Sequence, residues 1–118
     1  MLRRPRTGAF PNDAPTPPVR TFGPLVVDEA RHEVFNAGQG IALTAREFQL
    51  LATLASHPGM VFTRAQLLER VWGDDYYDDH VVDVHVANLR KKLEDDPTSP
   101  RFIETVRGVG YRFGARPE

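Results

Sequence analysis

HVVDVHVANLRKKLE, residues 80–94, is the stretch whose reading decides the fold. At about 100° per residue, Val82, Val86, Leu89 and Leu93 fall within one arc about 60° wide, which predicts an amphipathic helix with a face to pack on other helices. The far side carries Val81, Val84, Asn88, Lys91 and Lys92, with Asp83, Ala87 and Arg90 on one flank and His85 on the other. A valine pair at i and i+3 is out of place facing water. It suits the major groove of duplex DNA, where valine packs on thymine methyl groups, asparagine pairs bidentately with adenine and lysine meets phosphate. The alternative is that both valines are buried under the acidic segment ahead of the helix.

Working outward, two further helices precede this one. Thr44-Ala-Arg-Glu47 is a capping box, and Phe48, Leu50, Leu51, Leu54 and Ala55 follow at helical spacing until His57-Pro58-Gly59 stops them. Met60 to Phe62 reads as a short bridging strand. Thr63-Arg-Ala-Gln66 repeats the capping logic for a helix that contains Leu67, Leu68 and Val71 and closes at Trp72-Gly73. Asp74, Asp75, Tyr76, Tyr77, Asp78 and Asp79 form an exposed loop whose last carboxylates stand at the positive end of the third helix. Before Thr44, the extended pieces Phe22, Leu25 to Val27, Glu33 to Phe35 and Ile41 to Leu43 are separated by turn residues and predict a small antiparallel sheet. After the third helix, Phe102 to Val106 and Tyr111 to Gly114 flank Arg107-Gly-Val-Gly110 as a hairpin. The order is that of an α+β winged helix-turn-helix: an N-terminal antiparallel sheet, three helices and a C-terminal β-hairpin wing over 102–114.

The chain has 118 residues, 41% hydrophobic and 26% charged, the size of one domain. Residues 1–20 hold five of the ten prolines and four arginines against one aspartate, which predicts a disordered tail or interdomain linker ahead of a domain at 21–118. The net charge of −1 gives no whole-chain hint of a nucleic-acid partner, and residues 21–118 are acidic, with 11 basic and 15 acidic groups. Positive charge instead gathers late: residues 90–116 carry seven basic groups against four acidic. Arg107, at the hairpin tip, is placed to enter a narrow minor groove.

Other chemistries fit poorly. With no cysteine there is no disulfide framework, thiolate metal site or cysteine nucleophile. His32, His57, His80 and His85 are scattered, and the last two point about 140° apart on one helix, too far to share a metal. The acidic run at 74–79 lacks the alternating ligands and glycine of a calcium loop, and Gly108 and Gly110 precede no helix that could cradle phosphate. No enzyme activity, metal or cofactor is expected. No run approaches the roughly 18 apolar residues of a membrane helix, so no membrane partner and a cytoplasmic location are expected.

Thr44-Ala-Arg-Glu-Phe-Gln-Leu-Leu51, Arg64-Ala-Gln-Leu-Leu68, Val71-Trp-Gly73, Val82-Asp-Val-His-Val86 with Leu89-Arg-Lys-Lys-Leu93, and Thr105-Val-Arg-Gly-Val-Gly-Tyr-Arg-Phe113 resemble the OmpR/PhoB-type winged-helix output domain of bacterial response regulators. The match covers about residues 21–115. It implies sequence-specific binding of double-stranded promoter DNA in transcriptional control, with residues 80–94 as the recognition helix and the hairpin as the wing. Carried over, the resemblance gives Val81, Val84 and Asn88 to bases, and Trp72, His85, Arg90 and Thr105 to phosphate. It gives Arg107 to the minor groove and brings Tyr111 near the backbone; Lys91 and Lys92 join the phosphate set from their place on the helix. It also implies contact of the 74–79 loop with RNA polymerase and head-to-tail dimers on direct repeats. Ala87 and Asn88 stand where some members have two arginines, so a guanine contact is lost and adenine is favoured. Such regulators carry an N-terminal receiver domain with a phosphoaccepting aspartate, and nothing upstream of residue 21 could form one; no phosphoacceptor is expected in this chain. The rival reading is a winged helix used as a protein-interaction module, favoured by Asp79 and Asp83 near the recognition helix.

Overall fold

Two threonines start two helices in the same way. In the computed structural model, which describes residues 19–73, 78–94 and 102–114, the Thr44 hydroxyl accepts from the Glu47 N–H while the Glu47 carboxylate accepts from the Thr44 N–H, opening helix α1 (Ala45–Ala55). Thr63 and Gln66 repeat the exchange at the start of α2 (Arg64–Trp72). Both predicted capping boxes are therefore formed, each satisfying two backbone donors that the helix itself leaves free. The third helix, α3 (His80–Leu93), starts differently: Asp79 makes no side-chain cap bond, and the Asp78 carboxylate accepts from the His80 N–H instead.

Ahead of the helices, β1 (Val19–Phe22), β2 (Leu25–Asp28), β3 (Glu33–Asn36) and β4 (Gln39–Gly40) form an antiparallel meander in that order. β1 takes in Val19 and Arg20, which composition alone assigns to the Pro/Arg-rich segment; residues 1–18 lie outside the described residues. The strand predicted at Ile41 to Leu43 is instead the two-residue β4, because the ladder ends one bond later, at Ile41 N–H to Val34 C=O (2.8 Å). Ile41 and Leu43 then pack against the core from an irregular segment that leads into the Thr44 cap. Their alternation reflects burial without a partner strand.

The second sheet is three-stranded. The bridging strand β5 (Val61–Thr63) pairs antiparallel with β7 (Gly110–Phe113), which pairs on its other side with β6 (Ile103–Val106). The predicted hairpin is thus a wing with a third strand at its base. Core side chains come from every layer: Phe22 and Leu25 of the first sheet, Leu50, Leu51 and Leu54 of α1, Leu67 of α2, and Phe62, Ile103 and Phe113 of the second sheet are all at most 2% exposed. The Phe22 and Phe113 rings meet at 4.4 Å, joining the two sheets. On α3 the four residues expected inside, Val82, Val86, Leu89 and Leu93, are 0–1% exposed. Its C-terminal end is tied down twice: Asn36 donates to the Leu93 carbonyl at 2.8 Å, and the buried Glu94 carboxylate accepts from the Phe102 and Ile103 N–H groups at 2.9 and 3.1 Å. Glu94 thereby fixes where the wing's first strand begins.

Gly110 sits where β5 and β7 approach most closely. A Cβ there would lie 2.0 Å from the Phe62 carbonyl oxygen, a backbone atom that cannot move without breaking the sheet. Gly108, at the turn, has φ 74° but open space around it. Gly110→Ala is expected to cost more than about 3 kcal/mol and Gly108→Ala about 1 kcal/mol in urea denaturation; equal costs would show that β5 does not pack as described.

Candidate nucleic-acid interface

With one arc of α3 committed to the core, three other sets of side chains are left to account for. The flank formed by Asp83 and Arg90 faces the wing. Asp83 accepts from the Tyr111 hydroxyl (2.5 Å) and pairs with the Arg64 guanidinium (2.7 Å), while His80 Nδ1 stands 3.4 Å from its other oxygen. Arg90 donates to the Ile103 carbonyl (3.1 and 2.8 Å) and to the Thr105 hydroxyl (2.8 Å). Burial on its own would raise the Asp83 carboxyl, but the hydrogen bonds from Tyr111 and Arg64 and the charge of Arg64 outweigh it and hold its pKa below the usual carboxylate value. Burial and the neighbouring Asp83 push the Tyr111 phenol up.

The opposite flank faces α2. Trp72 is only 5% exposed, meets the His85 ring edge-to-face at 4.9 Å, and lies under the Arg46 guanidinium at 5.6 Å. His85 Nδ1 is 2.9 Å from the Val81 carbonyl, an acceptor, so Nδ1 carries a proton in that bond. Near the helix end, Lys92 reaches back to the buried Glu47 at 2.7 Å. Burial would raise the Glu47 carboxyl, but the Lys92 ammonium and the Thr44 N–H together hold it below its usual range.

What remains outward is a stripe. Val84, Asn88 and Lys91 are exposed, and their spacing places them within about 60° of one another, opposite the core arc. Val84 is 47% exposed, whereas Val81 is half-buried and packs against the core, so the valine pair is split rather than displayed or buried together. At the wing, Thr105, Arg107 and Val109 are exposed, and Val109, at 45%, is an apolar tip residue that the sequence pattern did not single out. Among the described residues neither Lys91 nor Arg107 has an ion-pair partner. Of the residues predicted to meet DNA, the structure therefore brings Val84, Asn88, Lys91, Lys92, Thr105 and Arg107 to the surface, Lys92 with its ammonium on Glu47, and leaves Val81 and His85 half-buried. It commits Trp72 and Tyr111 to the interior, and Arg90 and Lys92 to internal partners. Asp78 and Asp79 are exposed beside the start of α3; Asp74, Asp75, Tyr76 and Tyr77 lie outside the described residues.

Arg64 is the participant that pattern reading missed. It is the first residue of α2, where the helix dipole disfavours a cation, and that misplacement is the signal that its partner lies elsewhere in the fold. Among the described residues no group of three or more His, Cys, Asp or Glu side chains could hold a metal ion, and no helix is long and apolar enough to cross a membrane.

Comparison with known proteins finds transcriptional regulators of this fold. The family described as "Transcriptional regulatory protein, C terminal" matches residues 38–113. The sensory transduction protein RegX3 of Mycolicibacterium smegmatis is 46% identical over 110 residues, covering 92% of this chain and 48% of RegX3. Among solved structures, the response regulator DrrB of Thermotoga maritima, described as an OmpR/PhoB homolog, superposes with a TM-score of 0.78 at 43% identity, covering 81% of this chain and 44% of DrrB. The Klebsiella pneumoniae RstA DNA-binding domain, solved in complex with its RstA box, superposes with a TM-score of 0.75 at 39% identity, covering 81% of this chain and 96% of that domain. The chain spans between 40% and 50% of the length of the curated relatives it matches.

The depressed Asp83 carboxyl has a pH consequence with a definite sign. A group whose pKa falls on folding adds stability that is present above its unfolded value, about 3.9, and is lost as pH drops through the folded one. Asp83→Asn should lower Tm by a few degrees at pH 7, with the gap to the parent closing as melting is followed down through pH 4 to pH 3. A gap that stays constant with pH would mean that Asp83 acts only by packing.

Proposed function

The chain belongs to the OmpR/PhoB-type family of C-terminal DNA-binding domains of transcriptional regulatory proteins, a family of regulators rather than enzymes, and from that premise we propose that it binds double-stranded promoter DNA sequence-specifically with α3 in the major groove and the wing at the minor groove. The observation that carries this reading is the outward stripe of Val84, Asn88 and Lys91, an apolar contact, an amide and a free cation in line on the one helix face that the fold leaves undressed. In this reading Val84 packs on thymine methyl groups, with Val81 contributing from its margin, and Asn88 pairs with adenine. Lys91 and the Thr105 hydroxyl meet phosphates, and Arg107 enters the minor groove. His85 meets phosphate as an imidazolium, donating from Nε2 while Nδ1–H stays on the Val81 carbonyl. Arg90, Lys92, Trp72 and Tyr111 serve the interface by holding α3 and the wing in place rather than through their own polar groups.

The internal pairing of Asp83 supports this reading over the protein-interaction module, because that carboxylate is neutralised within the fold and does not confront a polyanion. The relative solved with its RstA box lends the same support from outside the chain. We further propose that this domain, with the residues ahead of Val19 as its linker or tail, is the output half of a cytoplasmic two-component regulator, with the 74–79 loop as a contact for RNA polymerase and head-to-tail pairing on direct repeats.

Selection from a randomised duplex pool at near-physiological salt tests the proposal: enrichment of direct repeats about 10 to 11 base pairs apart is expected, and retention without enrichment would favour the protein-interaction module. On the enriched duplex, Asn88→Ala should relax preference at one base position at a cost of about 1–3 kcal/mol. Lys91→Ala should weaken all duplexes alike and reduce the slope of log K against log salt by about one. Equal loss by Asn88→Ala on cognate and random DNA would remove it from base reading.

A further inference from the structure

Asp83 and Arg90 lie two turns apart on one flank of α3, and both are spent on the wing. Asp83 takes the Tyr111 hydroxyl of β7, while Arg90 holds the Ile103 carbonyl and the Thr105 hydroxyl of β6, so each strand of the hairpin is tied to the helix separately. The Tyr111 ring, only 6% exposed, has the Arg64 guanidinium at 5.8 Å and the Arg90 guanidinium at 5.6 Å from its centroid. Cations over an aromatic face attract its quadrupole, and a buried phenol needs a hydrogen-bond partner. One carboxylate, two guanidiniums and one phenol thus satisfy one another between α2, α3 and both wing strands. β5 supports β7 from the far side, leaving the 107–109 tip to project past the last paired residues.

We propose that Tyr111, Asp83 and Arg90 form a strut that sets the distance and angle between the recognition helix and the wing tip, so that the two groove contacts are made as one rigid unit. This rests on the DNA-binding reading above. The three are positioning residues. Their consequence is energetic: once α3 is seated, Arg107 meets the minor groove at an effective concentration that a fixed link keeps high and a loose link lowers. A rigid link also makes the protein discriminate by shape, favouring sites where a narrow minor groove lies one set distance from the α3 contact.

A double-mutant cycle on the duplex enriched by the parent chain tests this. Tyr111→Phe removes only the hydroxyl and leaves Asp83 paired with Arg64. It is expected to weaken binding about 5- to 10-fold in the parent and less than about twofold in an Arg107→Ala background, where there is no tip contact left to misplace. In an Asn88→Ala background it should keep its full effect, because the helix contact is independent of the strut. A general loss of structure would instead weaken all three backgrounds equally. Should Tyr111→Phe fold poorly, Arg90→Lys keeps the charge but cannot span Ile103 and Thr105, and the same pattern is expected. Equal effects of both variants in all backgrounds would overturn the strut while leaving DNA binding intact; a parent chain that enriches no duplex would overturn both.

Discussion

A helix can display only the face that its core does not take. The burial of Val82, Val86, Leu89 and Leu93 to 0–1% exposure fixes the rotation of α3 about its own axis, and every other assignment on that helix follows from it. A turn of one residue, about 100°, would bring Asp83 toward the interior and Lys91 onto a flank. Asp83 and Arg90 then face the wing because no other direction is left to them, and Trp72 meets His85 for the same reason. The outward stripe is thus a product of packing: the core's demand for four branched apolar side chains determines which amide and which ammonium reach solvent.

The overall charge of the chain conceals how charge is used. Five of its carboxylates are spent on partners within the chain: Glu47 on Lys92 and a helix cap, Asp83 on Arg64 and Tyr111, Glu94 on two backbone N–H groups, Glu29 on Arg20, and Glu104 on Arg112. The four ion pairs among them consume as much positive charge as negative. What survives on the α3 and wing surface is Lys91 and Arg107. Two exposed cations without ion-pair partners among the described residues govern the field close to them despite an excess of acid elsewhere, because interactions between exposed charges fade over roughly 8–10 Å at physiological salt. A count over 118 residues averages away the arrangement that matters.

Local patterns carried most of the fold. Both capping boxes, the core arc of α3 and the terminal hairpin are short-range features in which the deciding residues lie within a turn or two of one another, and all of them form. The failures are non-local. Ile41 to Leu43 alternates like a strand, yet the ladder stops at Ile41 and the chain turns into the Thr44 cap. Arg64 and Asp83 meet only in three dimensions, and nothing within either helix names the other. On α3, spacing alone anticipated that Val84, Asn88 and Lys91 share an exposed face. It could not separate Val81, which the neighbouring core half covers, or Lys92, whose long stem reaches a buried carboxylate on another helix.

The pairing of β5 with β7 has a consequence for how the domain comes into being. Residues 61–63 lie between two helices, but their partners are residues 110–112, about fifty positions later. During synthesis the first sheet and all three helices can leave the ribosome while Phe62 still has an open backbone edge and no Phe113 beside the first sheet's Phe22. At about 5–20 residues per second the wait is a matter of seconds. Until the last strand arrives, α3 has no Tyr111 for its aspartate, and the β6 segment that its arginine holds has no partner strand. The second sheet is therefore closed last, and a polypeptide interrupted before Gly110 would carry every helix of the fold with β5 still unpaired.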